Sequence, residues 1–234
     1  MKLAAIQARL RQLADPETAK VLQRFFKTGP GDYGEGDVFL GIKVPPLRAL
    51  VRECGATTVA EMEELLQSPL HEERAFALML LVRAFQRGAE AERRGIYRLY
   101  LKNTHRINNW DLVDASAEHI VGGWLLDLDR KPLYKLVRSR SVWERRIAVL
   151  ATFHYIKRRQ YGDTLDLAAL LLQDKHDLMH KAVGWMLREV GKRDLETEAG
   201  FLNQHYRAMP RTMLRYAIER FPEPQRRGYL LGTI

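Results

Sequence analysis

Four side chains in this sequence combine types that stabilise a positive charge next to a bound anion. They are Trp110 and Asp114 in NNWDLVD, Arg146 in WERRIAV and Trp185 in MHKAVGW. On a helix, residues four apart lie only about 40° apart around the axis, so an indole at 110 flanks a carboxylate at 114. A carboxylate stabilises a developing cation, an aromatic face attracts one, and a guanidinium holds a phosphate. A plainer reading makes Asn108 an N-cap, Asp111 a favourable first-turn acid and Trp110 a core anchor. It accounts for Asp111 and leaves Asp114 unexplained.

Other constellations carry less. Gly29, Gly31 and Gly34 spell G-x-G-x-x-G within TGPGDYGEGDVFLGIKVPP. A phosphate cradle needs a strand before it and a helix after it. Here AKVLQRFFK reads as helix and DVFLGIKV as extended chain, Pro30 lacks a donor, and Asp32, Glu35 and Asp37 repel phosphate. The segment reads as a glycine-rich turn or short hairpin near residues 28–44. His176 and His180 have the i, i+4 spacing of zinc ligands but no third ligand nearby, so they read as histidines around a helix start. No metal site and no cofactor is expected. The single cysteine, Cys54, fits a reducing compartment and a buried structural role.

The elements that position these residues are helical. Apolar periodicity predicts helices over 2–13, 16–27, 46–54, 58–67, 70–87, 90–102, 108–121, 132–138, 142–159, 164–173, 177–190, 194–206 and 210–221. From residue 58 onward they fall into pairs. The second helices align as EERAFAL, NNWDLVD, WERRIAV and MHKAVGW, placing Ala77, Val113, Ala148 and Gly184 in one column at intervals of 36, 35 and 36. Small residues at that interval suit close stacking of helix pairs. The expected fold is an all-α, HEAT-like helical-repeat solenoid forming one domain over 1–234, with a non-repeating helical bundle as the alternative. A solenoid curves, and its second helices line one surface. The alignment gathers Arg74, Trp110, Arg145 and Lys181 in one column and Asp114 with Trp185 in another. Trp110, Asp114, Arg146 and Trp185 should thus share an arc of about 100° on a concave, basic groove.

Charge says what such a groove would meet. Lys and Arg outnumber Asp and Glu 38 to 29, with a pI near 9.7, which favours a polyanion such as nucleic acid. Arg138, Arg140, Arg145 and Arg146 fall in one helix-turn-helix unit, where a phosphate-binding lip would need them. No apolar run reaches the roughly 18 residues that span a bilayer, and Arg9 and Arg11 interrupt the N-terminal stretch where a signal peptide would be apolar. A cytoplasmic, nucleoid-associated protein with no membrane partner is expected.

FLGIKVPPLRAL, NNWDLVD, WERRIAVL and KAVGWMLRE, in that order and spacing, resemble the AlkD family of DNA alkylation repair glycosylases, from about residue 20 to 221. The resemblance implies an active-site aromatic and acid at Trp110 and Asp114, a second aromatic at Trp185, a phosphate-contacting arginine at Arg146, and an early aromatic at Phe25. It implies hydrolysis of the N-glycosidic bond of alkylated purines such as 3-methyladenine and 7-methylguanine. The enzyme it describes is a monofunctional glycosylase without metal or lysine nucleophile. Family members are understood to act without inserting the damaged base into a tight pocket. Arg145, Lys181, Lys43 and Arg48 complete the expected DNA contacts, on duplex DNA carrying alkylated bases and with a monomeric protein.

The inserted TGPGDYGEGD departs from members that join these helices more directly. A related branch carries a β-hairpin there and resembles a binder of branched DNA. Two rivals therefore stand beside the glycosylase: a non-catalytic binder of branched or damaged DNA, and a HEAT-like protein-interaction scaffold.

Overall fold

Helix starts in this chain are fixed by short polar side chains and prolines. Helix α1 (Leu3–Gln12) leads to α2 (Pro16–Phe25), where Asp15 accepts a hydrogen bond from the Glu17 amide at 3.1 Å and Pro16 presets the first turn. After α3 (Val44–Glu53), a capping box opens α4 (Val59–Leu66): Thr58 Oγ1 accepts from the Glu61 amide, and the Glu61 carboxylate accepts from the Thr58 amide. The computed structural model describes residues 2–55 and 57–234, and among them the chain is all-helical with no strand.

Contacts divide the chain into two compact units, the first ending at Ser116 and the second beginning at Ala117. In the first, α5 (His71–Arg87) is central, packing against α3, α4, α6 (Glu90–Lys102) and α7 (Trp110–Asp114). Phe76, Leu78, Leu81, Leu50, Leu65 and Tyr100 are buried around it. The first turn of α5 is different in kind. His71, Glu72, Glu73 and Arg74 are all buried there, and most of their partners come from other segments.

The second unit opens with a π-helical turn, Glu118–Gly122, continuing into α8 (Gly123–Leu125). Then come α9 (Lys131–Leu136), α10 (Val142–Ala151), α11 (Phe153–Ile156), α12 (Gly162–Leu170), α13 (Asp177–Gly191), α14 (Leu195–His205), α15 (Arg211–Ala217) and α16 (Glu223–Leu231). Helix α13 packs against α10, α12, α14 and α15. Gly184 is where α13 meets α15: an added Cβ would sit 2.4 Å from the Met213 carbonyl oxygen. Ala77, Val113 and Ala148, its companions in the repeat column, are fully buried, as stacking of helix pairs requires.

Several boundaries differ from the periodicity. The single helix expected over 108–121 stops at Asp114, because Ser116 Oγ turns back onto the Leu112 carbonyl at 2.5 Å. The helix expected over 142–159 is broken at Thr152, whose hydroxyl bonds the Val149 carbonyl at 2.7 Å. Helix α16 lies beyond the last helix expected from periodicity, with Pro222 as its N-cap and Pro224 in its first turn. Residues 28–37 form successive turns, and Val38 makes one isolated parallel bridge with Leu70. The segment takes the turn alternative, with no hairpin among the described residues.

Candidate functional site

The first turn of α7 is held from several directions. Asn109, fully buried, accepts from the Trp110 amide at 2.9 Å through Oδ1 and donates from Nδ2 to Asp37 Oδ2 at 3.1 Å. Asp37 also accepts from His71 Nδ1 at 3.0 Å and is ion-paired with Arg74. On its other side, His71 Nε2 donates to Asp111 Oδ2 at 2.8 Å. The imidazole, 2% exposed, therefore bridges two carboxylates. Burial alone would lower its pKa, but the hydrogen bonds to Asp111 and Asp37 and their charges raise it to about 9. Burial likewise works against the Asp37 charge, and the His71 hydrogen bond and the Arg74 charge outweigh it, holding that carboxyl below its ordinary range. His71 is thus an imidazolium at neutral pH, tying the end of the glycine-rich turn to α7.

The extended residues after the turn are pinned by one carboxylate. Glu72 accepts from the backbone amides of Leu40 at 2.8 Å, Gly41 at 2.8 Å and Ile42 at 3.0 Å. The Leu40 carbonyl in turn accepts from the Asp15 amide at 2.9 Å, at the start of α2. Gly41 has φ +85°, and a Cβ there would lie 2.0 Å from the Asp15 carbonyl oxygen, so both conformation and space demand glycine. This anchoring delivers Phe39 to a ring stack: Phe39 on His71 at 4.3 Å, Phe26 on Phe39 at 5.0 Å, and Trp110 on Phe26 at 5.1 Å between centroids. Phe25, 62% exposed, meets Trp110 edge-on at 6.0 Å.

These rings wall a cavity of about 500 Å³ lying wholly within the first unit. Leu22, Ile42, Leu47 and Leu78 give it apolar sides, and Asp111 and Asp114 are part of its lining. Lys43 and Arg48, both exposed, also border it. The structure thus brings Phe25, Lys43, Arg48, Trp110 and Asp114 around one space.

The remaining expected site residues belong to the second unit. Trp185 on α13 donates from Nε1 to Glu189 Oε1 at 3.3 Å and tilts against Phe153 at 5.9 Å. The Lys157 ammonium sits 4.2 Å from the Phe153 ring centre. Arg146 is buried, its Nη1 donating to the Leu178 carbonyl at 2.6 Å. Arg145 is committed to Asp174, with Nε–Oδ2 at 2.7 Å, and to the Ser139 and Arg140 carbonyls. Lys181 is half-exposed and paired with Asp177 at 2.7 Å. His176 caps α13 by accepting from the Leu178 amide, and His180 contacts the Asp174 carbonyl. Cys54 is buried, and burial pushes its thiol pKa up.

Sequence reasoning missed Asp37, His71, Glu72 and Phe39. Asp37 was read only as an acid hostile to phosphate, and nothing in local spacing links it to a histidine 34 residues on. Polar residues in the first turn of α5, among otherwise apolar neighbours, were the available signal.

Comparison with known proteins gives a consistent picture. A predicted DNA alkylation repair enzyme from Enterococcus faecalis has a similar structure, with TM-score 0.69 and 18% identity over 90% of this chain and 97% of that one. AlkD2 from Streptococcus mutans is similar at TM-score 0.54 and 14% identity, covering 88% of this chain and 98% of that one. These likenesses show the shared helical-repeat fold. No curated protein matches the sequence significantly. The family model described as DNA alkylation repair enzyme matches residues 6–221, nearly the whole chain, and the protein belongs to that family.

Proposed function

We propose that this protein is a monofunctional DNA glycosylase that hydrolyses the N-glycosidic bond of alkylated purines, such as 3-methyladenine and 7-methylguanine, in duplex DNA. The observation that carries the reading is that Asp114 and Trp110 line one cavity together with exposed Phe25, Lys43 and Arg48. Family membership supports DNA as the partner.

Alkylation gives the purine a positive charge, so it departs as a neutral base when the bond from C1′ to nitrogen breaks. The deoxyribose then carries the charge. Asp114 stabilises that cation electrostatically and orients the attacking water, whose oxygen bonds to C1′ while its proton passes to the carboxylate or to solvent. Trp110 presents an aromatic face to the same charge, and Trp185 is proposed as its counterpart. Lys43, Arg48, Lys181, Arg145 and Arg146 are proposed as phosphate contacts. Lys43 and Arg48 are exposed for that role, whereas Arg145 and Arg146 would have to leave internal partners.

The test is release of methylated purines from alkylated duplex DNA. Wild type is expected to release them, and Asp114→Asn to lose at least about 100-fold, the scale of removing one preorganised electrostatic contact. Tight binding to branched DNA with no release by folded wild type would overturn catalysis in favour of the non-catalytic binder. Equal activity in Asp114→Asn would overturn the role of Asp114.

A further inference from the structure

We propose that Glu189 is a positioning residue for base release: its carboxylate fixes the plane of the Trp185 indole, which the Phe153 ring supports from a second direction. This rests on the glycosylase reading, in which Trp185 presents its ring to the charged sugar.

All the residues concerned belong to the second unit. The torsion that turns an indole about its bond to Cβ is intrinsically broad, so contacts must set the ring plane. Trp185 is half-exposed on α13, where water can serve its N–H. It donates instead to Glu189 Oε1, one helical turn on, at 3.3 Å. The Phe153 ring meets it at 5.9 Å between centroids, inclined by 57°. Two contacts on different parts of one indole hold it in one orientation. An aromatic that stabilises a cation needs this, because the attraction acts over the ring face and not at its edge.

The way Glu189 is itself held distinguishes it from an ordinary helix-surface pair. Exposed ion pairs three or four residues apart contribute about 0.2–0.5 kcal/mol and need no burial. Glu189 is buried, and both its carboxylate oxygens are taken, Oε1 by Trp185 and Lys192 and Oε2 by Arg193 at 3.0 Å. Burial works against its charge, and the hydrogen bonds from Lys192 and Arg193 outweigh it, holding the carboxyl below its ordinary range. Glu189 therefore stays an ionised acceptor whose charge two cations match, suited to orient the indole and not to act as a second acid on the sugar. The Phe153 support is anchored in the same way. The Lys157 ammonium over that ring is paired with buried Glu118 at 2.5 Å. Arg193, bound to Glu189, also approaches the Phe153 ring at 5.8 Å. One guanidinium thus ties the two supports together.

The experiment uses the full chain carrying Glu189→Leu, which has no acceptor, and Glu189→Gln, which keeps an acceptor oxygen without the charge. The indole N–H resonance of Trp185 is identified by its absence in Trp185→Phe. In Glu189→Leu that resonance is expected to shift and to exchange faster with solvent. Single-turnover release of 7-methylguanine from alkylated duplex DNA is expected to slow at least about tenfold, within the range that misplacing a group by an ångström costs. DNA affinity should change less than about twofold, since the contact acts on the transition state. Glu189→Gln should restore both the resonance and most of the rate. In a Trp185→Phe background, Glu189→Leu should slow release no further, as action through the indole N–H requires. Should Glu189→Leu fail to fold, Glu189→Ala, which leaves room for water beside Lys192 and Arg193, makes the same test. An unchanged indole resonance, unchanged release in the folded variants, or additive losses in the double variant would overturn the proposal and leave the glycosylase reading intact. No release by wild type would overturn both.

Discussion

Replacing His71 by glutamine removes the titrating charge at the junction between the glycine-rich turn and α7. The glutamine amide nitrogen can donate to one of the two carboxylates, Asp37 or Asp111, while its oxygen can only accept, and the side chain carries no charge. The folded pKa of His71, about 9, stands above the unfolded 6.5. A raised pKa means the native state binds the proton more tightly, so its contribution is complete below pH 6.5 and disappears as pH rises through 9. The difference of 2.5 pKa units, at 1.36 kcal/mol each, amounts to about 3 kcal/mol. The groups that raise it are Asp111 from α7 and Asp37 from the turn, and Asp37 is also paired with Arg74 on α5. Urea unfolding of wild type and His71→Gln at pH 6 and pH 9.5, at fixed ionic strength, gives the quantity directly. The gap between the two proteins should shrink by about 3 kcal/mol over that interval. A gap of equal size at both pH values would mean that the buried imidazole is neutral at pH 6, and the doubly paired imidazolium would be refuted.

Two further outcomes follow from the geometry. Gly41→Ala should destabilise the protein by at least about 2 kcal/mol, since it combines a left-handed backbone with a backbone clash; a change under about 0.5 kcal/mol by urea titration would contradict this. Glu198 is buried in the second unit, and burial pushes its carboxyl up to about 9, partly opposed by Arg188. Its folded pKa exceeds the unfolded 4.5, so it favours folding at low pH and loses that advantage as pH climbs towards 9. Glu198→Gln should therefore gain on wild type by up to about 4 kcal/mol between pH 5 and pH 8, and parallel stability curves for the two proteins would refute it.

The sequence disclosed the helices because their signals are local. Caps such as Asp15 and Thr58, apolar periodicity, and small residues at Ala77, Val113, Ala148 and Gly184 each act within a turn or between adjacent helices. The spacing of Trp110 and Asp114 likewise put the pair on one cavity wall without any distant information. What stayed hidden depends on partners far along the chain. Asp37 needs Arg74 and Asn109, and Glu72 needs amides some 30 residues earlier. Breaks at Ser116 and Thr152 escaped notice because hydroxyls fit a helix until they bond back to its carbonyls. Arg145 and Arg146 have the charge of surface phosphate ligands, yet the fold employs both internally.

The grip of Glu72 on three successive amides has a consequence for how this protein can diversify. Leu40 to Ile42 is fixed from α5 and from the start of α2, while Asp37 is fixed separately by Arg74 and His71. The turns between Lys27 and Asp37 are thus clamped downstream and hang from the end of α2 upstream. Insertions and deletions there change loop-closure entropy only slowly with length and leave the Phe39 wall in register. Mutation can rewrite this stretch as an exchangeable cassette while the residues that line the cavity stay constant.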